Sequence, residues 1–183
     1  MPLTSDELKA LASAIESEDT FSVSEFFARH RGKLNQRICD DRKYATPLYY
    51  AVQHGSRDVA FLLLKMSADP NKCVKIGNRK QCCLRFVSTI RFDAGLVIAL
   101  LRAGADPCLG DQQGNCPLWD ALIYASNSTT AERGKEVLTT FLKESLPEYR
   151  ESMKAIFDKR ANRLTLPTAV RDAFGNLQCE TSS

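Results

Sequence analysis

The sequence predicts an all-α array of stacked repeats, each made of two helices and joined to the next by a short hairpin-like connection. Three leucines, Leu48, Leu84 and Leu118, occupy the same place in three similar segments and lie 36 and 34 residues apart. In each segment the apolar residues follow helical spacing over one short stretch and then over a second. A period in the mid-thirties with two helical patterns per unit is typical of a solenoid, in which each unit buries its apolar face against its neighbours.

The N-terminal residues 1–36 are predicted to form a degenerate repeat that caps the array. Leu8, Leu11 and Ile15 lie at helical spacing within residues 5–16, and a second apolar face follows within residues 22–29. We expect Ser5 to cap the first helix without a full capping box. A cap is needed because the end of a stacked array would otherwise expose its apolar stripe.

Residues 37–146 are predicted to hold three repeats. In the first, Thr46-Pro47 opens a helix that ends at Gly55, since proline suits a first helical turn and glycine suits a left-handed ending. Second helices are expected to bury paired leucines between repeats, namely Leu63, Leu64, Leu100 and Leu101. The predicted helices run over residues 46–54, 57–66, 83–91, 93–103, 117–126 and 132–144, with a polar insertion at 127–133. Residues 147–183 are predicted to form a C-terminal helical cap and tail.

The three segments carry motifs that resemble the ankyrin-repeat family. The first segment reads TPLYYA at residues 46–51 and ADPN at residues 68–71, with Gly55 between them. The second keeps Leu84 and GADP at residues 104–107, and the third keeps PL at residues 117–118. This resemblance implies an ankyrin solenoid whose first-helix ends and hairpin tips line a concave binding face. It also implies non-enzymatic protein–protein recognition, as an adaptor, scaffold or inhibitor.

Composition and motifs argue against catalysis. The chain has only two histidines and shows no HExxH, GxSxG or glycine-rich phosphate loop. We interpret its carboxylates as solvated groups on exposed helix faces. The seven cysteines lack metal-ligand spacing and are interpreted as small packing residues. We therefore expect no enzymatic activity, no cofactor and no metal.

The expected location is the cytoplasm, with the nucleus as a second compartment. The first residues lack the basic flank and apolar block of a signal peptide, and no apolar run approaches 18 residues. An odd number of cysteines without framework spacing favours free thiols in a reducing compartment. Nothing in the sequence indicates an oligomer, so we expect a monomer.

Two basic stretches, residues 29–43 and 72–91, each include a segment between repeats. They favour a protein partner with an acidic or mixed acidic-apolar surface. The alternative is a nucleic-acid-binding protein that uses the same two stretches for phosphate. The modest pI of about 8.5 and the acidic N-terminal segment weigh against it.

Predicted partner contacts lie at hairpin tips and at the ends of the first helices. Large side chains such as Ile90 and Tyr124 are difficult to bury at those ends, so we interpret them as contact residues. Tyr50 and Phe86 are interpreted as core between repeats, with contact residues as the alternative. The predicted partner-binding residues are Arg42, Lys43, Tyr44, Gln53, His54, Arg79, Lys80, Ile90, Gln112 and Tyr124.

Overall fold

The computed structural model describes residues 3–40, 43–76, 79–111 and 113–177 of the 183-residue chain. At residues 39–40, 43–44, 75–76 and 79 it describes the backbone alone. Within these residues the chain forms ten α-helices and two antiparallel hairpins. The elements are α1 Ser5–Glu16, α2 Thr20–Arg29, β1 Ile38–Asp40, β2 Lys43–Ala45, α3 Pro47–His54, α4 Arg57–Lys65, β3 Val74–Ile76, β4 Arg79–Gln81, α5 Cys83–Thr89, α6 Ala94–Arg102, α7 Pro117–Ser126, α8 Ala131–Glu144, α9 Arg150–Arg160 and α10 Thr168–Gly175.

The helices lie in two layers that run the length of the array. The odd-numbered helices α1, α3, α5, α7 and α9 form one layer, and each contacts the next. The even-numbered helices form the second layer in the same way. Within each repeat the two helices pack on each other, and each helix also packs on the equivalent helices of adjacent units, as expected of a solenoid. The predicted all-α stacked fold with short hairpins is confirmed.

The residues that flank α3 determine where this helix begins and ends. The Thr46 hydroxyl accepts a hydrogen bond of 3.2 Å from the Tyr49 backbone N–H, and Pro47 occupies the first helical position. The helix ends at Gly55, whose φ of 81° is left-handed. At the equivalent position of the third repeat, the Cys116 sulfur accepts from the Trp119 N–H at 3.4 Å.

The N-terminal cap differs from the sequence prediction in its first residue. Thr4, and not Ser5, is the N-cap of α1. The Glu7 carboxylate accepts from the Thr4 backbone N–H at 2.7 Å, while the Glu7 N–H donates to the Thr4 hydroxyl at 3.3 Å. This is a full capping box, which the prediction ruled out because it placed the cap one residue too late.

The paired leucines are buried with one exception. Leu63, Leu100 and Leu101 have no exposed surface, whereas Leu64 is half-buried and so less completely covered than the other three. The two positions 64 and 101 are equivalent, but the helices that cover them differ in length. Helix α6 is covered by the 14-residue α8, while α4 is covered by α6, which has nine residues. We attribute the difference in burial to this extra coverage.

Asparagines fix the spacing between successive units. The Asn35 side-chain oxygen accepts from the Asp69 N–H at 2.8 Å, and the Asn71 oxygen accepts from the Asp106 N–H at 2.8 Å. The Asn71 amide also donates to the Gly104 carbonyl at 2.8 Å. Because each turn is hydrogen-bonded to the turn before it, the ends of the first helices are held in line along one face of the array.

The segment after the third repeat packs against it. The Arg160 guanidinium of α9 donates to the Gly114 carbonyl at 2.8 Å and lies 5.0 Å from the centre of the Trp119 ring. Phe157 and Phe174 stack with their ring centres 4.4 Å apart, which joins α9 to α10. This packing covers the end of the third repeat.

Candidate partner-binding groove

A groove lies between the ends of α5 and α7 and is bordered on one side by β4. Its volume is about 520 Å³. Helix α5 contributes its last turn and Ile90, α7 contributes one face, and β4 contributes the rim. The residues that line the groove are Lys80, Gln81, Arg85, Thr89, Ile90, Asp120, Ile123 and Tyr124.

The walls of the groove are apolar and open to solvent. The Ile90 side chain is 61% exposed and Ile123 is 41% exposed. Among the described side chains, one further large hydrophobic residue is exposed, Phe21 in the N-terminal cap. Two of these three exposed residues therefore lie in one groove, and such a cluster is typical of a contact surface.

The sequence of α5 accounts for the exposure of Ile90. Arg91 stands where the first repeat has Gly55, and its guanidinium packs beside Gly55 and donates to the Gln53 carbonyl at 3.0 Å. Arg91 is thus directed to the preceding repeat. Ile90 is the C-cap residue of α5, and its side chain is left at the mouth of the groove.

Arg85 and Asp120 form the floor of the groove, and Asp111 joins them in one ion-paired cluster. The Arg85 Nε donates to Asp120 at 2.5 Å, and its Nη1 lies 3.4 Å from an Asp111 oxygen. The three side chains are largely buried, with exposed fractions of 15% for Arg85, 17% for Asp120 and 2% for Asp111. The interpretation of the carboxylates as exposed, solvated groups was wrong for these two residues, which neutralise a charge of the second basic stretch.

The environment of Asp111 favours its charged form. Burial acts to raise the pKa of this carboxyl, but hydrogen bonds from Asn115 and Gln113 and the nearby Arg85 charge together hold its pKa below the usual value. Asp111 consequently stays ionised beside Arg85 near neutral pH, so the single guanidinium of Arg85 is paired with more than one carboxylate.

The ion pair on the floor should contribute measurably to stability. We expect Arg85→Met to lower the free energy of unfolding by about 2 kcal/mol, because two largely buried carboxylates lose their cation. Chemical denaturation measures the change. The matched control is Arg29→Met, whose 3.1 Å pair with Glu25 is exposed on both sides and should cost about 0.5 kcal/mol or less. Equal costs for the two variants would contradict this account of the floor.

Other basic side chains are also engaged within the chain. Lys72 lies 3.7 Å from Asp69, and Arg29 pairs with Glu25. Arg31, Arg37 and Lys80 are exposed. The two basic stretches therefore present less free positive charge than their composition suggests.

The structure brings three predicted contact residues together at the groove. Lys80 and Ile90 are exposed there as expected, while Tyr124 is half-buried. Gln53 and His54 lie farther along the array, next to the N-terminal cap. The His54 ring stacks on Tyr50 with ring centres 4.2 Å apart, and its Nδ1 is 3.9 Å from a Glu16 oxygen.

Five predicted contact residues have no described side chain. Lys43, Tyr44 and Arg79 lie in hairpin strands, where the backbone alone is described. Arg42 and Gln112 lie outside the described residues. All five remain predictions. Of the two aromatic residues interpreted as core, Tyr50 is buried and Phe86 is half-buried.

Sequence reasoning missed Ile123 and the charged floor. It selected Tyr124 and not the neighbouring Ile123, although α7 continues for two residues beyond Tyr124 and Ile123 also lines the groove. The signal for the floor was a spacing: Asp120 follows Arg85 by one repeat length. A cation and an anion at neighbouring first-helix positions meet across the stack.

Within the described ranges, no group of three or more histidine, cysteine or carboxylate side chains is arranged to hold a metal ion. Over the same residues, no helix is long and apolar enough to cross a membrane. Five of the cysteines, Cys73, Cys82, Cys83, Cys108 and Cys116, are free thiols. The cysteine-rich positions at the bases of the hairpins are thus not crosslinked in this structure.

Residues 43–75 match the family model for the ankyrin repeat. The match begins in β2, spans both helices of the first repeat and ends in β3. The same helix pair then recurs in α5–α6 and in α7–α8, stacked in the same two layers. The chain therefore contains an ankyrin repeat at residues 43–75, within a stack of similar helix pairs.

Proposed function

We propose that this chain binds an acidic-apolar segment of a protein partner in the groove between α5 and α7, as an adaptor, scaffold or inhibitor. Ankyrin repeats as a class mediate protein–protein interaction and are typically non-enzymatic. The single observation that supports this site most strongly is that Ile90 and Ile123 are both exposed and line one groove.

The apolar walls supply the affinity in this proposal. Binding energy in protein interfaces is concentrated in a few residues that become fully desolvated. Burying an isoleucine side chain contributes roughly 1.5–3 kcal/mol. Ile90 and Ile123 would both be covered by one apolar side chain of the partner, and the half-buried Tyr124 lies beside them.

The charge of the rim favours an acidic partner. Lys80 is exposed at the groove, whereas Arg85 below it is neutralised by Asp120 and Asp111. An acidic residue of the partner beside Lys80 would mainly increase the association rate and select the partner. This arrangement supports the nucleic-acid alternative less well. Exposed isoleucines do not bind phosphate, and Arg85 is already paired with carboxylates.

The proposed location is the cytoplasm, with the nucleus as a second compartment, and the proposed state is a monomer. The free thiols of the described cysteines support a reducing compartment. The described C-terminal helices pack on α7 and α8, so this face of the stack is covered within the chain. This packing supports a monomer, because the face does not need a second copy to bury it.

A random peptide library displayed on phage tests the groove and does not require the partner to be identified. Peptides are selected on the wild-type chain and then screened against Ile90→Ser/Ile123→Ser. We expect the selected peptides to combine acidic and large apolar residues, and to bind the double variant roughly tenfold or more weakly. Lys80→Glu should mainly slow association and reduce its salt dependence.

The matched control is Phe21→Ser, which removes an even more exposed apolar side chain from α2. It should leave the affinity unchanged. Peptides that bind the double variant as well as the wild type would place the contact surface elsewhere. The nucleic-acid alternative would be supported instead by tight binding of duplex DNA or single-stranded RNA that falls steeply with salt. In that case Lys80→Glu should weaken the binding and Ile90→Ser/Ile123→Ser should not.

A further inference from the structure

Two cysteines face each other at the base of the β3–β4 hairpin. The strands pair Val74 with Gln81 at their open end, so the next pair in the same register is Cys73 and Cys82. The two thiols are close enough to interact, since each of them shifts the pKa of the other. Both are free thiols in this structure.

The two thiols differ in access to solvent. Cys73 is half-buried, and its sulfur also contacts the Asn71 carbonyl oxygen at 3.6 Å. Cys82 is 3% exposed and begins α5 as its N-cap residue. A small oxidant can therefore reach Cys73 from solvent, while Cys82 is shielded from it.

The environment of Cys73 makes it the more reactive thiol. The hydrogen bond from Cys82 and, less strongly, the Lys80 charge lower the pKa of Cys73 to about 7, although burial and Asp69 oppose them. The pKa of Cys82 is raised by the same hydrogen bond and by its burial. Thiolates are the nucleophilic form of cysteine, so Cys73 reacts first.

The backbone positions are compatible with a disulfide. Residues directly opposite each other in antiparallel strands have Cα atoms roughly 4.5–5.5 Å apart. A disulfide joins Cα atoms roughly 4.4–6.8 Å apart. A bond between Cys73 and Cys82 consequently needs rotation of side chains and no large movement of the hairpin.

We propose that Cys73 and Cys82 are a peroxide-sensitive pair that forms a reversible disulfide across the base of this hairpin. The Cys73 thiolate attacks one oxygen of hydrogen peroxide, so an S–O bond forms, the O–O bond breaks and hydroxide departs. Cys73 is then a sulfenic acid. The Cys82 sulfur then attacks the Cys73 sulfur, forms the S–S bond, loses its proton and displaces the hydroxyl as water. In total, two thiols are oxidised by two electrons and one peroxide is reduced to two waters.

The next hairpin base provides an internal control. Cys116 is the N-cap of α7, as Cys82 is of α5, and Cys108 lies close to it at the position that Asn71 has in the first repeat. Burial and the Asp106 carboxylate raise the pKa of Cys108, and the Cys116 sulfur accepts from the Trp119 N–H. This second pair of cysteines lies at a similar place in the fold and lacks an activated thiol, so it should stay reduced.

Peptide mapping by mass spectrometry after mild hydrogen peroxide treatment of the reduced full chain tests the proposal. We expect a Cys73–Cys82 crosslinked peptide that dithiothreitol reverses, with Cys108 and Cys116 still thiols. The rate of Cys73 alkylation by iodoacetamide should rise as pH increases through about 7. A Cys73 that remains a thiol, or that reaches sulfinic acid while Cys82 stays a thiol, would overturn the proposal.

Two variants separate the roles of the thiols. Cys82→Thr restores the residue type that the first repeat has at Thr46, so the N-cap is retained. It should leave a Cys73 sulfenic acid that dimedone traps, without a disulfide. Cys73→Ser should leave Cys82 unoxidised, and Cys108→Ser should leave the Cys73–Cys82 crosslink unchanged. A disulfide from Cys82 to any other cysteine in the wild type would contradict the assignment.

Discussion

Gly134→Ala is expected to lower the free energy of unfolding by about 3 kcal/mol, because the added methyl group has no room. Gly134 lies in α8 where that helix crosses the end of α7. A Cβ there would overlap the backbone nitrogen of Ala125 and lie 2.6 Å from the Ala125 Cα and from the Tyr124 carbonyl carbon. These are backbone atoms, so rotation of a side chain cannot relieve the overlap.

The same substitution elsewhere gives the control. Gly175 lies in α10 with no atom within 4 Å of an added Cβ. Gly175→Ala should leave stability unchanged or raise it by up to about 1 kcal/mol, since alanine favours a helix over glycine. Thermal and chemical denaturation of both variants measure the contrast. A Gly134→Ala protein as stable as the wild type would show that α7 and α8 are not in backbone contact.

Leu63→Ala should lower the free energy of unfolding by roughly 2–5 kcal/mol, through lost burial and the cavity it leaves. Leu63 has no exposed surface and packs with Val59 and Ala60 on the inner side of α4. Its cavity would lie between the first repeat and its neighbours, where the stack has least freedom to collapse. Chemical denaturation measures this loss as a lower midpoint.

Leu64→Ala is the matched control, since it makes the same change one residue along the same helix. Leu64 is half-buried, so less apolar area and a smaller cavity are involved. We expect a cost about half that of Leu63→Ala or less. If Leu64→Ala were the more damaging substitution, the orientation of α4 in the stack would be wrong.

Most of the fold could be predicted from the sequence because its local signals agree. The turn at residues 46–49, the glycine ending at Gly55 and the apolar spacing of α4 all indicate the same helix pair. Repetition of that pattern adds evidence from three segments. The smaller exposure of Leu101 than of Leu64 could not be predicted, because burial depends on the covering helix, which periodicity does not show.

The candidate site could be predicted in part. The exposure of Ile90 could be predicted from the repeat alignment, since this residue lies at the end of a first helix. The floor could not be derived from either residue alone, because Arg85 and Asp120 meet only when two units stack. The basic composition of residues 72–91 therefore overstated the free charge. The close approach at Gly134 also depends on the tertiary contact between α7 and α8.

The central claim is that the partner is bound between Ile90 and Ile123. Isothermal titration of one selected peptide against the wild type, Ile90→Ser/Ile123→Ser and Phe21→Ser tests it most directly. The account predicts a roughly tenfold or greater loss of affinity for the double variant and wild-type affinity for Phe21→Ser. Equal affinity for the wild type and a folded double variant, or a loss confined to Phe21→Ser, would contradict it.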